Sequence, residues 1–182
     1  DKFWSSLADY FNLEFKKKKN SKILRRNSKF WLTQFFYKYQ VNYYHLIEKN
    51  ISNDLAIHFI GENGYEEKIT YKELNQKVNS LSSYYLSLKI KKGDVIVGYL
   101  PNIPDTIIAF LAAAKIGAIW SSCSSDFGSK AVIDRFFQLK PKLMIIANYY
   151  FYNGKRFDYS KDFKFIQKKI GNPKVLHASY PN

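Results

Sequence analysis

The chain has 182 residues, of which 46% are hydrophobic, so it can bury the core of one domain or slightly more and lacks the composition of a disordered protein. No run of about 18 apolar residues is present, which excludes a membrane-spanning helix. The single cysteine, Cys123, excludes an internal disulfide framework and favours a reducing, cytoplasmic setting. From its first and last residues we expect the chain to be the N-terminal part of a longer protein.

The formal net charge of +14 is unevenly distributed. Residues 1–30 hold nine Lys or Arg against three Asp or Glu. Such a surface fits nucleic acid, an acidic membrane or a polyphosphate. It equally fits a solvated, lysine-rich face, so the charge by itself identifies no ligand.

Residues 1–45 are predicted to form a mainly helical leader. Its basic run, Lys16–Lys29, is expected to be a loop, and the aromatic residues from 30 to 44 are expected to pack against other parts of the protein. The first turns are expected to be helical because five apolar residues recur at spacings of three and four: Phe3, Trp4, Leu7, Tyr10 and Phe11.

Residues 46–182 are predicted to be an α/β unit, a partial parallel sheet with covering helices, because strands and helices alternate along the chain. Thr70 and Glu73 have the spacing of a capping box at the start of the first helix. The predicted strands are 55–60, 66–69, 95–100, 118–122, 143–147 and 174–177, and the predicted helices are about 71–88, 104–116, 129–139 and 161–170.

The serine loop Ser121–Gly128, within the segment GAIWSSCSSDFG of residues 117–128, is the first candidate site. It combines the end of a strand, a hydroxyl-rich loop and the start of a helix, an arrangement that builds ligand crevices and anion sites in open α/β sheets. We favour the alternative that Ser125 or Asp126 caps the following helix. Cys123 has no evident His partner, so a buried structural role is favoured over a nucleophile.

The second candidate site is the turn Asn153–Arg156. Gly154 permits a tight turn, and two adjacent cations, Lys155 and Arg156, have the charge to hold a phosphate. An ordinary exposed turn is the alternative. No metal site is expected, because the three histidines share no short spacing with one another or with a second cysteine: His45, His58 and His177.

Residues 117–128, with the following 134–136 and 138–143, resemble the acetoacetate–CoA ligases, a family within the adenylate-forming acyl-CoA synthetase superfamily. The resemblance covers essentially the whole chain and is stronger in 69–155 than in 1–45. Other segments agree with the family in order and spacing: 3–4, 42–43, 69–74, 93–96 and 100–102.

This resemblance implies an ATP-dependent ligase with acetoacetate, ATP and coenzyme A as substrates and Mg²⁺ as cofactor, and with no nucleic-acid partner. Acetoacetate attacks the α-phosphate of ATP to give an acyl-adenylate and pyrophosphate, and the thiol of coenzyme A then displaces AMP. The family's phosphate loop and catalytic Lys do not occur in this sequence. The chain is therefore expected to hold no catalytic residue, to bind no ligand tightly and to be inactive alone.

The resemblance also assigns residues 46–182 to the first part of an AMP-binding adenylation domain. It makes the turn of Asn153, Gly154, Lys155 and Arg156 a candidate contact for the nucleotide of coenzyme A, with Tyr152 where relatives carry Arg. Two alternatives stay open: a ligase for acetate, propionate or another short acid, and a basic module that binds nucleic acid or a membrane. A nicotinamide-binding domain is disfavoured because no Gly-x-Gly-x-x-Gly follows a strand.

Overall fold

The structure, a computed structural model, describes residues 1–13, 15–158 and 162–181. The chain falls into two units, Asp1–Lys49 and Asn50–Asn182. Within the described ranges, every helix is too short or too polar to cross a bilayer.

The first unit is built around an antiparallel pair of strands rather than around helices. Its elements are α1 (Lys2–Tyr10), β1 (Lys16–Arg25), a 3-10 turn (Phe30–Leu32), β2 (Gln34–Gln40) and α2 (Tyr44–Glu48). β1 pairs with β2, with an irregularity in register between Lys17 and Lys22. The predicted first helix is confirmed as α1.

The expectation that Lys16–Lys29 is a loop is wrong, because most of the run lies in β1. The partner strand is rich in aromatic residues, which favour strands and interact well across a pair. The Arg25 guanidinium lies 4.7 Å from the centroid of the Tyr37 ring, and the Lys17 ammonium lies 5.6 Å from that of Tyr39. These cation–π contacts give the basic strand partners that its own composition does not reveal.

The second unit contains a four-stranded parallel sheet in the order β10-β7-β5-β6, as the alternation of elements predicts. Two antiparallel hairpins, β3–β4 and β8–β9, accompany it. The strands are β3 (Leu55–Ile60), β4 (Glu66–Thr70), β5 (Val95–Tyr99), β6 (Ile119–Cys123), β7 (Leu143–Ala147), β8 (Tyr149–Tyr152), β9 (Lys155–Asp158) and β10 (Lys174–Ala178). The helices are α3 (Tyr71–Ser87), α4 (Pro104–Lys115), α5 (Ser129–Phe137) and α6 (Phe163–Lys169).

The core of this unit lies on both faces of the central strands. All five residues of β7 are buried, and consecutive residues of β5, Ile96 and Val97, are fully buried as well. A strand covered on both faces needs such a continuous apolar run. Helix α3 packs against α4, where the buried Tyr85 hydroxyl donates to the carbonyl of Ala109 at 3.5 Å.

Helix α3 begins at the capping box that the sequence predicts. The backbone N–H of Glu73 donates to the Thr70 hydroxyl at 3.2 Å, and the N–H of Thr70 donates to the Glu73 carboxylate at 2.8 Å. Two backbone donors at the helix start are thereby satisfied. The predicted last helix is observed as α6, and Lys161, where the prediction begins it, lies outside the described residues.

Candidate functional site

The hydroxyl-rich loop after β6 lies at the carboxyl edge of the parallel sheet, where such sheets bind ligands. The end of the neighbouring strand β5 holds the loop in place. The Tyr99 hydroxyl donates to the carbonyl of Phe127 at 2.7 Å and approaches that of Ser125 at 3.3 Å. The loop is therefore anchored to the sheet through its backbone.

The expectation that Ser125 or Asp126 caps α5 is wrong. The residue at the cap position is Gly128, and among the described residues no side chain makes the cap hydrogen bond to the start of the helix. Both predicted residues precede the cap by two or three positions, and Ser125 is buried with 5% exposure. The loop therefore extends two to three residues beyond the predicted cap before the helix begins.

Cys123 is a buried free thiol at the end of β6. Burial raises its pKa, and the nearby Arg135 opposes this shift more weakly. A raised pKa lowers the thiolate fraction that a nucleophile needs. The structural role that the sequence favours for this residue agrees with its surroundings.

The turn of Asn153 and Gly154 joins β8 to β9, a hairpin that the sequence prediction omits. The φ angles of these two residues are +51° and +69°. Positive φ at both central residues is the mark of a two-residue hairpin turn, which Asn-Gly adopts readily. The sequence therefore predicts the turn correctly, although not the strands on either side of it.

The two cations after this turn do not converge. Lys155 pairs across the hairpin with Tyr152, and Arg156 pairs with Phe151. Adjacent residues of a strand point to opposite faces, so Lys155 and Arg156 lie on different sides of the hairpin. The Arg156 guanidinium rests 3.9 Å from the centroid of the Tyr149 ring, and both cations are exposed.

A carboxylate already occupies the turn. The backbone N–H of Gly154 donates to Glu62 Oε2 at 3.1 Å, so Glu62 sits where a phosphate oxygen would accept. The same loop is also tied down by Asn63, whose side-chain amide donates to the carbonyl of Pro181 at 3.0 Å. Sequence reasoning missed Glu62 because the contact joins residues 92 positions apart.

An aromatic cluster around Tyr180 packs against β8, the strand that precedes the turn. The Tyr180 ring centroid lies 5.2 Å from that of Phe151, 5.8 Å from that of Tyr149 and 6.2 Å from that of Phe59. Burial raises the pKa of the Tyr180 hydroxyl. Since Arg156 stacks on Tyr149, this cation is held to the cluster, whereas Lys155 is placed on the other face.

A small cavity of about 220 Å³ lies near the carboxyl ends of β7 and β10, and Asp105 at the start of α4 lines it together with His177. The Asp105 residue as a whole is exposed. Desolvation of its carboxyl group nevertheless raises its pKa, and the charge of Lys77 opposes this shift more weakly. The described residues contain no group of three or more His, Cys, Asp or Glu that could hold a metal ion.

The parallel sheet, its helices and the loops at its carboxyl edge place this chain in a known class. Residues 48–178 match the family model described as AMP-binding enzyme, and the chain belongs to that family. It is similar to acetoacetyl-CoA synthetases in particular.

The enzyme of that name from Rhizobium meliloti (strain 1021) is 40% identical over 144 residues, which are 79% of this chain and 22% of that protein. The acetoacetyl-CoA synthetase of Macaca fascicularis is 33% identical over 176 residues, 96% of this chain and 26% of that protein. The solved structure of acetoacetyl-CoA synthetase from Streptomyces lividans superposes with a TM-score of 0.86 at 28% identity, covering 100% of this chain and 29% of that one. This chain spans about a quarter of the length of these relatives.

Proposed function

We propose that this chain is part of a ligase that joins acetoacetate to coenzyme A at the expense of ATP. The observation that carries the proposal is the 40% identity to an acetoacetyl-CoA synthetase over 144 residues, within a chain of the AMP-binding family. In the proposed reaction a carboxylate oxygen of acetoacetate attacks the α-phosphorus of ATP and expels pyrophosphate. The thiol of coenzyme A then attacks the acyl carbon, a thioester forms, and AMP leaves.

In this proposal the chain supplies scaffold rather than catalytic groups. Residues 1–45 are the leader, and residues 46–182 are the first α/β part of the adenylation domain. Magnesium would serve the whole enzyme through ligands elsewhere, so no step is assigned to it here. We place the protein in the cytoplasm, which suits its buried free thiol.

The turn Asn153–Arg156 is the part of this chain that we propose to contact the nucleotide of coenzyme A. We assign the phosphate contact to the exposed Lys155 ammonium and to the Gly154 N–H, which now donates to Glu62, whereas Arg156 lies on the opposite face of the hairpin. Glu62 has to release the N–H before a phosphate can accept from it.

Acetoacetate-dependent exchange between ATP and pyrophosphate tests the ligase. We expect the whole protein to catalyse exchange faster with acetoacetate than with acetate or propionate. The 182-residue chain alone should show none, because the phosphate loop ending in Lys and the catalytic Lys are not in its sequence. A preference for acetate or propionate would replace acetoacetate as the substrate, and exchange by the chain alone would disprove its scaffold role.

Coenzyme A titrations of the whole protein test the turn. Lys155→Ala should weaken binding of coenzyme A by about three- to tenfold and leave the affinity for ATP unchanged, as expected for one exposed charge-assisted contact. Lys130→Ala, which removes an exposed lysine of α5, is the matched control. Equal effects of the two substitutions would show that the turn makes no specific contact.

A further inference from the structure

The end of the β1–β2 hairpin carries an exposed apolar surface outside the proposed coenzyme A contact. Phe30, Trp31 and Leu32 form the 3-10 turn at this end and are 77%, 76% and 53% exposed. A cluster of large, solvent-exposed apolar side chains usually marks a surface that binds an apolar partner. We call residues 30–32 the apolar tip.

The apolar tip is held in a defined conformation. The Asn27 side-chain oxygen accepts from the N–H of Lys29 at 3.0 Å, and the Thr33 hydroxyl accepts from the N–H of Asn27 at 3.2 Å. The N–H of Thr33 donates to the carbonyl of Phe30 at 2.9 Å and closes the turn. The three side chains are therefore presented outwards by a formed turn, which lowers the entropic cost of inserting them into a partner.

A groove beside the tip extends the apolar surface. It has a volume of about 450 Å³, and Arg26 lies on its lining. The side chains of Trp4 and Phe35 meet there edge to face, with ring centroids 4.8 Å apart. The groove is also lined by Leu24 and by Phe30 of the tip itself.

Positive charge surrounds this apolar surface. Residues 15–40 contain nine Lys or Arg and no Asp or Glu. Arg25, Arg26 and Lys29 lie next to the tip in sequence and are exposed. The other basic residues extend the positive charge along the hairpin, and their attraction for an anionic surface is strongest at low salt.

We propose that this hairpin binds the surface of an anionic lipid bilayer. The apolar tip enters the boundary between headgroups and acyl chains, while Arg25, Arg26 and Lys29 lie at the level of the lipid phosphates. An exposed aromatic and aliphatic tip flanked by cations fits such a boundary, which is apolar below and negatively charged above. The proposal is independent of the ligase reaction.

Single-stranded nucleic acid is the competing polyanion, and the structure favours it less. A nucleic-acid platform presents free aromatic faces on strands between basic residues. In this hairpin Tyr37 and Tyr39 are only partly exposed, and cations lie over their rings. The most exposed rings of the hairpin, those of Phe30 and Trp31, lie instead at the tip, where they can insert into a bilayer.

Flotation of the whole protein with vesicles tests the proposal. The vesicles contain phosphatidylcholine with or without about 30 mol% phosphatidylserine. We expect the protein to float with the phosphatidylserine vesicles and to bind pure phosphatidylcholine at least about tenfold more weakly.

Two sets of substitutions separate apolar insertion from charge attraction. Phe30→Ser, Trp31→Ser and Leu32→Ser together should weaken vesicle binding by about 100-fold, because three exposed side chains lose their apolar contact. Arg26→Gln with Lys29→Gln should weaken it by about tenfold or more. The matched control is Phe137→Ser with Phe165→Ser, which removes side chains that are 64% and 54% exposed on α5 and α6 and should change nothing.

Circular dichroism of each variant establishes that its fold is intact before binding is compared. The proposal is overturned if the protein does not float, if the tip variant floats as well as the wild type, or if phosphatidylserine makes no difference. It is also overturned if an oligothymidine binds the protein and the vesicles do not, which would assign the hairpin to nucleic acid.

Discussion

At the scale of single residues, Glu62 sets the electrostatics of the proposed coenzyme A contact. Its carboxylate accepts from the Gly154 N–H, a backbone donor of the turn, at 3.1 Å. A phosphate must displace this carboxylate and lie near its negative charge. Glu62 therefore acts as a competitor within the chain for any anion at the turn.

Glu62→Gln should raise the affinity of the whole protein for coenzyme A about two- to fivefold, because the substitution removes one exposed negative charge beside the phosphate site. Calorimetric titration at low and high salt measures the change, which should shrink at high salt. Glu66→Gln, in the same β3–β4 hairpin, is the control. A lower affinity of Glu62→Gln would mean that the carboxylate holds the turn in shape instead of competing with the ligand.

Gly98, in β5, leaves no room for a side chain. A Cβ at this position would lie 2.8 Å from two ring atoms of Trp120 on the neighbouring strand β6. Gly98→Ala should therefore lower the free energy of unfolding by about 1–3 kcal/mol, as overpacking does in a close-packed core. Urea denaturation measures the loss.

Gly128→Ala is the matched control for Gly98→Ala. A Cβ at Gly128 meets nothing within 4 Å, so the change should cost less than about 1 kcal/mol, the usual penalty for Ala at a helix cap. Equal losses of unfolding free energy in the two variants would show that the ring of Trp120 moves aside at little energetic cost.

At the scale of secondary-structure elements, predictions succeeded where local signals decide. The predicted helix that starts at the capping box is observed as α3, since a hydrogen-bonded start and an apolar face are both properties of neighbouring residues. β1 was missed because a run of lysines has no strand signal of its own. Its stability depends on the aromatic residues of β2, which follow it by ten positions or more.

Thr70→Ala should lower the free energy of unfolding by about 1 kcal/mol, because the N–H of Glu73 loses its acceptor. Denaturation at neutral pH measures the loss. Ser83→Ala, at an exposed site within the same helix, is the control and should have little effect. A loss no larger than that of the control would contradict the role of the cap.

The same cap predicts a pH dependence. Hydrogen bonds from the backbone and the side chain of Thr70 lower the pKa of Glu73 from its ordinary value of 4.5. The unfolded chain then takes up this proton first, so the stabilisation is present above pH 4.5 and is lost as the pH falls through the lower, folded-state pKa. Glu73→Gln, which removes the titrating carboxyl group itself, should therefore flatten the decline of stability in acid, and an unchanged decline would contradict this interpretation.

At the scale of the whole molecule, the parallel sheet has two open edges. Among the described strands, β6 pairs only with β5, and β10 pairs only with β7. The chain also spans only about a quarter of the length of its relatives. Open edges with unpaired backbone groups favour association between copies.

The 182-residue chain is therefore expected to self-associate with rising concentration, and a charge on an edge should reduce this. Ile119 lies on β6 and is 51% exposed, so Ile119→Lys should shift sedimentation towards the monomer. Leu86→Lys, on α3 at 56% exposure, is the matched control. Equal shifts would trace association to general hydrophobicity instead of the sheet edge.

The sequence by itself determined the α/β class, the buried strand β7, the capped start of α3 and the resemblance to acid–CoA ligases, because apolar periodicity, capping and motif spacing are properties of neighbouring residues. Only the tertiary structure decided that Lys155 and Arg156 face opposite ways and that Glu62 reaches Gly154. These outcomes depend on strand pairing and on contacts between distant segments. Such contacts follow from how the whole chain packs, which no local pattern contains.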